Sequence, residues 1–155
     1  MLTQVEAAVR VDTGGGSVKY CGIASAIKAK NSKIKVYGVE AENCPSMTQS
    51  LLAGKPVMVK NTPSLADGLD VAQPGDKTFD VVSKLVDNVY TVSESQISNA
   101  MKLLAQESKI VVEGVGATCV AAVLNGIVPV ANDDKVVCVI SGGNVDVDTF
   151  AQQLD

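Results

Sequence analysis

Short apolar runs alternate along this chain with stretches of helical periodicity. After "VEAAVRV" (Val5 to Val11) and a run of three glycines, the pattern predicts a helix over Val18 to Lys30. "KIKVYGVE" (Lys33 to Glu40), with alternating apolar and β-branched positions, predicts a strand. "PSMTQSLLA" (Pro45 to Ala53) predicts a helix that opens on proline and stops at Gly54-Lys55-Pro56. A long proline-punctuated loop follows over Val57 to Gly75, and helical periodicity returns in "KTFDVVSKLVD" (Lys77 to Asp87). "NVYTV" reads as a short strand, and the capping box Ser93-Glu94-Ser95-Gln96 predicts a helix from about Glu94 to Glu107. "KIVVEGVGATCVAAVLNG" (Lys109 to Gly126) combines an apolar run, a glycine turn at Gly114 and Gly116, and a buried Ala/Val-rich helix. "KVVCVISGGN" (Lys135 to Asn144) predicts an apolar strand ending in a glycine turn, followed by a last helix from about Asp148.

Strands without polar alternation, separated by helices, predict an α/β fold: an open, mostly parallel twisted sheet with helices on both faces. No internal repeat or low-complexity segment interrupts the pattern, so residues 1–155 are expected to form one α/β domain. With 46% hydrophobic residues, the chain has enough apolar material to enclose a core.

Charge and composition then remove several classes of function. The net charge is −4, with acidic and basic residues interspersed and only 3% aromatics, so there is neither a basic stripe nor a stacking platform for nucleic acid. Histidine is absent, which excludes Ser-His-Asp and Cys-His catalysis within this chain. The four cysteines form no Cys-x-x-Cys pair and read as small core residues of a reducing compartment. No apolar run approaches membrane-spanning length and "MLTQVEAAVR" lacks a signal-peptide pattern, so a cytoplasmic protein without a membrane partner is expected.

The candidate chemistry sits in the glycine turns. In an open parallel sheet, ligands bind at the carboxyl ends of the strands, where Gly14 to Gly16 and Gly142 to Gly143 both fall. Free N–H groups of a glycine turn leading into a helix make a concave donor surface that suits a phosphate. A ligand-free strand-to-helix turn is the alternative. "GGGSVKYCG" has neither the P-loop spacing nor the third glycine of the dinucleotide fingerprint, which directs attention away from ATP and NAD.

Four pieces in order, "GGGS…GIASAIKAKNSKIKVYGVE", "LADGLDV", "KIVVEGVGA" and "VVCVISGGN", closely resemble the C-terminal half of the catalytic domain of fold type II pyridoxal-phosphate enzymes, specifically serine/threonine dehydratases (ammonia-lyases) and serine racemase. The resemblance implies a tryptophan-synthase-β-like large domain and pyridoxal phosphate as cofactor. It assigns Gly14, Gly15, Gly16 and Ser17 to the cofactor phosphate, Ser141 to the pyridine nitrogen, and Glu113 to a place near the ring. Asp67 and Gly68 of "LADG" resemble a loop lining the same site. Glu40 matches the first carboxylate of a divalent-cation site in racemase-like members. Ser46 stands where those members carry aspartate, so the site loses a hard oxygen anion.

The resemblance also places the Schiff-base lysine in the family's N-terminal half, which these 155 residues do not match. No catalytic residue is therefore assigned here. The expected function is the cofactor-phosphate and pyridine-binding portion of an enzyme acting on serine or threonine. The alternative is a non-catalytic relative that binds phosphate, pyridoxal phosphate or a full-length homologue, or a truncated product. "GGGSVKYCGIA" is one residue longer than the family's usual spacing, which motivates that alternative. A homo-oligomer is a further expected association.

Overall fold

A computed structural model of the chain describes residues 18–154. The phosphate-turn residues Gly14, Gly15, Gly16 and Ser17, and the apolar run Val5 to Val11, lie outside the described residues.

Among the described residues, eight α-helices and β-strands follow in the order α1 (Val18–Lys30), β1 (Tyr37–Ala41), α2 (Ser46–Ala53), α3 (Asp76–Leu85), β2 (Asn88–Val92), α4 (Glu94–Leu103), α5 (Gly114–Leu124) and α6 (Val147–Gln152). The two strands pair in parallel, from Tyr37 opposite Asn88 to Ala41 opposite Val92. A parallel pair requires a crossover, and α2, the long loop and α3 supply it.

Helices cover both faces of this sheet. On one face, Tyr20 and Ala24 of α1, Met47 of α2 and Val82 of α3 bury against Val36 and Val89. On the other, Val39, Ala41 and Val92 meet Ile97, Ala100 and Met101 of α4 and Ala117, Cys119, Ala121 and Ala122 of α5. The small residues of α5 let it pack closely against both the sheet and α4, as its apolar composition predicts. None of the helices among the described residues is long and apolar enough to cross a membrane.

Local sequence accounts for most boundaries. Ser93 accepts from Gln96 N while Gln96 Oε1 accepts from Ser93 N, completing the expected capping box of α4. Gly54 ends α2 in the left-handed conformation, and Asp146 caps α6 by accepting from Thr149 N. Beyond Leu103 the α4 helix continues as a π turn to Ser108 and ends at Lys109, a non-glycine residue with φ of 59°.

Three expectations are corrected. The strand expected over Lys33 to Glu40 begins only at Tyr37, because the backbone N–H and carbonyl of Val36 are both taken by Asp87, its side chain and its own N–H, instead of a ladder. The run at 135–144, expected as a strand, carries no strand pairing among the described residues, nor does the apolar run at 109–113. Val136, Cys138 and Ile140 nonetheless pack on the core while Val137 is exposed, so the 135–144 run keeps the alternation of a strand without its ladder. Gly114 and Gly116 are not a turn before α5; they form its first turn.

Asp87 ties the amino ends of the two strands together. Its carboxylate accepts from Lys28 Nζ at 2.6 Å, Lys35 Nζ at 2.8 Å and Val36 N at 2.9 Å, and its own N–H donates to Val36 O. Burial alone would raise its pKa, but the donors from Lys28, Lys35 and Val36 together outweigh burial and hold it at about 2 rather than 3.8. A depressed carboxylate pKa stabilises the fold above the unfolded value and loses that contribution as pH falls toward the folded one. Asp87→Asn should therefore cost about 1–2 kcal/mol near neutral pH, allowing for solvent screening of the lysines, and flatten the loss of stability between about pH 4 and 2. Urea unfolding followed by circular dichroism across that range checks this; an unchanged acid slope would contradict it.

Candidate functional site

Three segments distant in sequence meet: Leu65–Gly68, Glu113–Gly116 and Ser141–Gly143. Glu113 occupies the N-cap position of α5 in extended conformation, and its N–H donates to Gly142 O at 3.3 Å. The carbonyl of Leu65 lies so close to Gly114 that a Cβ there would overlap it and sit 2.9 Å from Ala66 N. Gly68 packs beside Val115, whose Cγ2 would lie 3.1 Å from a Cβ at that glycine. The "LADG" loop is thus seated on the first turn of α5.

A residue that sequence reading treats only as part of a capping box holds this loop in place. Glu94, the first residue of α4, accepts from Ser64 Oγ at 2.6 Å and Leu65 N at 2.7 Å. Ser64 Oγ in turn accepts from Ala66 N. An acidic residue in a helix's first turn is ordinarily read as complementing the macrodipole, so nothing local signals a clamp 29 residues away.

Glu113 and Ser141 flank Gly142. Gly142 has φ of 110°, a conformation open to glycine and strained for other residues, and the Glu113 side chain fills the space a Cβ would need. The carbonyls of Ser141 and Gly142 approach Gly116, where a Cβ would lie 3.3 and 3.0 Å from them. Both Glu113 and Ser141 are half-buried, and neither side chain hydrogen-bonds to another described residue. A carboxylate and a hydroxyl with unused hydrogen-bonding capacity beside a close-approach glycine suit a flat polar ligand.

Glu40 has a different occupation. It is fully buried, and its carboxylate accepts from Met47 N (2.8 Å), Thr48 N (2.8 Å) and Thr48 Oγ1 (2.7 Å). These are orphan donors of the first turn of α2, whose N-cap residue Pro45 supplies no side-chain cap. Burial pushes the Glu40 pKa up, opposed by the hydrogen bonds from Thr48 and Met47. Both oxygens are taken up by α2, and Ser46 beside it brings only a hydroxyl, so these residues do not fit a divalent cation. Among the described residues, no group of three or more Cys, Asp or Glu side chains is placed to hold a metal ion. An open groove of 560 Å³ lined by Lys28, Lys84 and Asp87 lies at the amino end of the sheet, away from the glycine segments.

With this geometry in hand, comparison with known proteins is informative. Residues 3–142 match the family model described as "Pyridoxal-phosphate dependent enzyme". The L-threonine ammonia-lyase of Thermotoga maritima is 46% identical over 94% of this chain and 35% of its own length. The catabolic L-threonine dehydratase of Escherichia coli is 43% identical over 93% of this chain and 44% of its own. The structure of maize serine racemase superposes with a TM-score of 0.83 at 32% identity, covering 97% of this chain and 46% of that one. The chain therefore spans less than half the length of these relatives.

Proposed function

The chain belongs to the pyridoxal-phosphate dependent enzymes, and on that premise we propose that it is the part of a serine/threonine ammonia-lyase or serine racemase that holds the cofactor's phosphate and pyridine ring. The observation that carries this reading is the pair Glu113 and Ser141 beside Gly142, with hydrogen-bonding capacity unused by the described residues. Gly14, Gly15, Gly16 and Ser17 take the phosphate, following the family resemblance. When bound, the pyridine ring withdraws electrons from the amino acid's α-carbon, so that its proton can leave.

Ser141 donates to the ring nitrogen and, being a neutral hydroxyl, does not hold that nitrogen protonated. Glu113 offers a carboxylate at the ring edge, and Gly142 lets the backbone approach without a side chain in the way. The loop seated by Glu94 closes the side of the site formed by α5. Serine or threonine is the proposed substrate of the whole enzyme, since the relatives are named for these amino acids. The family resemblance puts the Schiff-base lysine in an N-terminal half that this sequence does not match. We propose that this chain works with that part, within a longer polypeptide or by pairing with a homologue, in the cytoplasm; its four cysteines are free thiols in the structure.

Calorimetry with pyridoxine 5′-phosphate tests the reading, because this alcohol cannot condense with surface lysines as the aldehyde does. We expect saturable binding that Ser141→Ala weakens about fivefold, the equivalent of about 1 kcal/mol for one hydrogen bond. No binding by the folded chain would overturn it. Supplied with pyridoxal phosphate and L-threonine or L-serine, the chain alone should form no 2-oxo acid; robust turnover would contradict the assignment of the lysine to another segment.

A further inference from the structure

Cys119 and Cys138 are 19 residues apart in sequence, yet meet where α5 packs against the 135–141 run. Cys119 Sγ donates at 3.2 Å to the carbonyl of Val139, the residue next to Cys138, which brings the two thiols near enough to affect each other's ionisation. Cys119 is fully buried in the core, whereas Cys138 packs on that core and is only half-buried. One thiol of the pair is thus reachable from solvent and the other is held behind it. Nothing in the proposed cofactor chemistry uses either.

We propose that Cys119 and Cys138 are an oxidation site of this protein, converted by hydroperoxides into an intramolecular disulfide. The Cys138 thiolate attacks the peroxide oxygen, the O–O bond breaks, and water leaves after protonation, giving a sulfenic acid. Cys119 sulfur then attacks Cys138 sulfur; the S–S bond forms, the S–O bond breaks, and the Cys119 proton leaves with the second water. Two thiols lose two electrons and two protons, and hydrogen peroxide is reduced to two waters.

The environment orders the two roles. The neighbouring Cys119 thiol holds the Cys138 thiol below the usual value in spite of burial, while Cys138 and burial push Cys119 up. Cys138, the half-buried thiol that a peroxide can reach, is accordingly the attacking thiol, and Cys119, buried behind it, the resolving one. The remaining cysteines supply an internal control: Cys21 and Cys44 lie against the carbonyls of Thr78 and Thr62, and burial raises both. The bond would fasten α5, three residues beyond Gly116, to the run three residues before Ser141.

The test is limited oxidation of the folded, reduced chain with hydrogen peroxide, followed by alkylation and tryptic digestion without reduction. The lysine at 135 separates the two cysteines into peptides 110–135 and 136–155. The expected first product joins these two peptides and is lighter by two hydrogens, with Cys21 and Cys44 still alkylated. Cys138→Ser, checked for folding by circular dichroism, should abolish the joined peptide and slow loss of the Cys119 thiol at least about tenfold. Earlier loss of Cys21 or Cys44, Cys138 recovered as sulfinic acid, or a disulfide between chains as the first product would overturn the proposal.

Discussion

Replacing Glu40 with alanine should destabilise this fold by about 3–5 kcal/mol, a large fraction of a typical domain's stability. The substitution leaves the buried Met47 N and the half-buried Thr48 N and Thr48 Oγ1 without their acceptor, and it opens a cavity beside Met47. Helix α2 has no substitute cap, since Pro45 provides none. Glu40→Gln keeps the volume and one acceptor oxygen, so its cost should be smaller, about 1–2 kcal/mol. The pH dependence separates the two contributions. Because burial raises the Glu40 pKa above its ordinary 4.5, the folded state favours the protonated acid. Its contribution is therefore fully present below about pH 4.5 and declines as pH rises through the higher folded value. That slope has the opposite sign to that of Asp87 and should vanish in Glu40→Gln. Urea unfolding of the three proteins between about pH 4 and 8 measures both effects; an alanine variant as stable as the parent would refute the capping role.

Gly114→Ala is the second large effect, and here two physical effects compete. Alanine is favoured over glycine within a helix by about 1 kcal/mol, so propensity alone predicts stabilisation. Against this, the new Cβ would overlap the Leu65 carbonyl and sit 2.9 Å from Ala66 N, both backbone atoms that no rotamer change can move. Overpacking of that kind costs about 1–3 kcal/mol or more, and the loop is further held by Glu94 through Ser64 and Leu65. We expect a net loss of about 2 kcal/mol and displacement of residues 64–68, seen as faster amide exchange there. Gly22→Ala provides the control: Gly22 lies on the exposed face of α1 with nothing within 4 Å of the new methyl. It should gain about 0.5–1 kcal/mol. Equal effects at the two positions would show that the close approach at Gly114 does not govern stability.

The contrast between these glycines shows where sequence reading works and where it stops. Helices announced by their own ends, such as α4 with Ser93 and Gln96 or α2 with Gly54, were legible because capping is local chemistry. Strand β2 was legible for its β-branched run. The runs at 109–113 and 135–144 have the same apolar character, but strand pairing depends on a neighbour, which no apolar run contains within itself. Gly114 and Gly116 resemble turn glycines by composition, yet they are small because Leu65 and the Ser141–Gly142 backbone press on them from other parts of the chain.

The candidate site divides in the same way. Ser141 and Glu113 were named from motifs, and the fold brings them to either side of Gly142. Glu40 was legible as a special carboxylate but not as the cap of α2, because its partners lie seven and eight residues on. Glu94 gave no sign of its contact with Leu65, since a tertiary clamp leaves no pattern in either segment alone.

The most direct measurement is a two-dimensional ¹H–¹⁵N spectrum of the labelled chain titrated with pyridoxine 5′-phosphate. The account predicts saturable shifts in two groups of amides, Gly14 to Ser17 at the phosphate and Glu113 with Ser141 to Gly143 at the ring. Shifts confined to other surfaces, or none in either group while the protein remains folded, would contradict it.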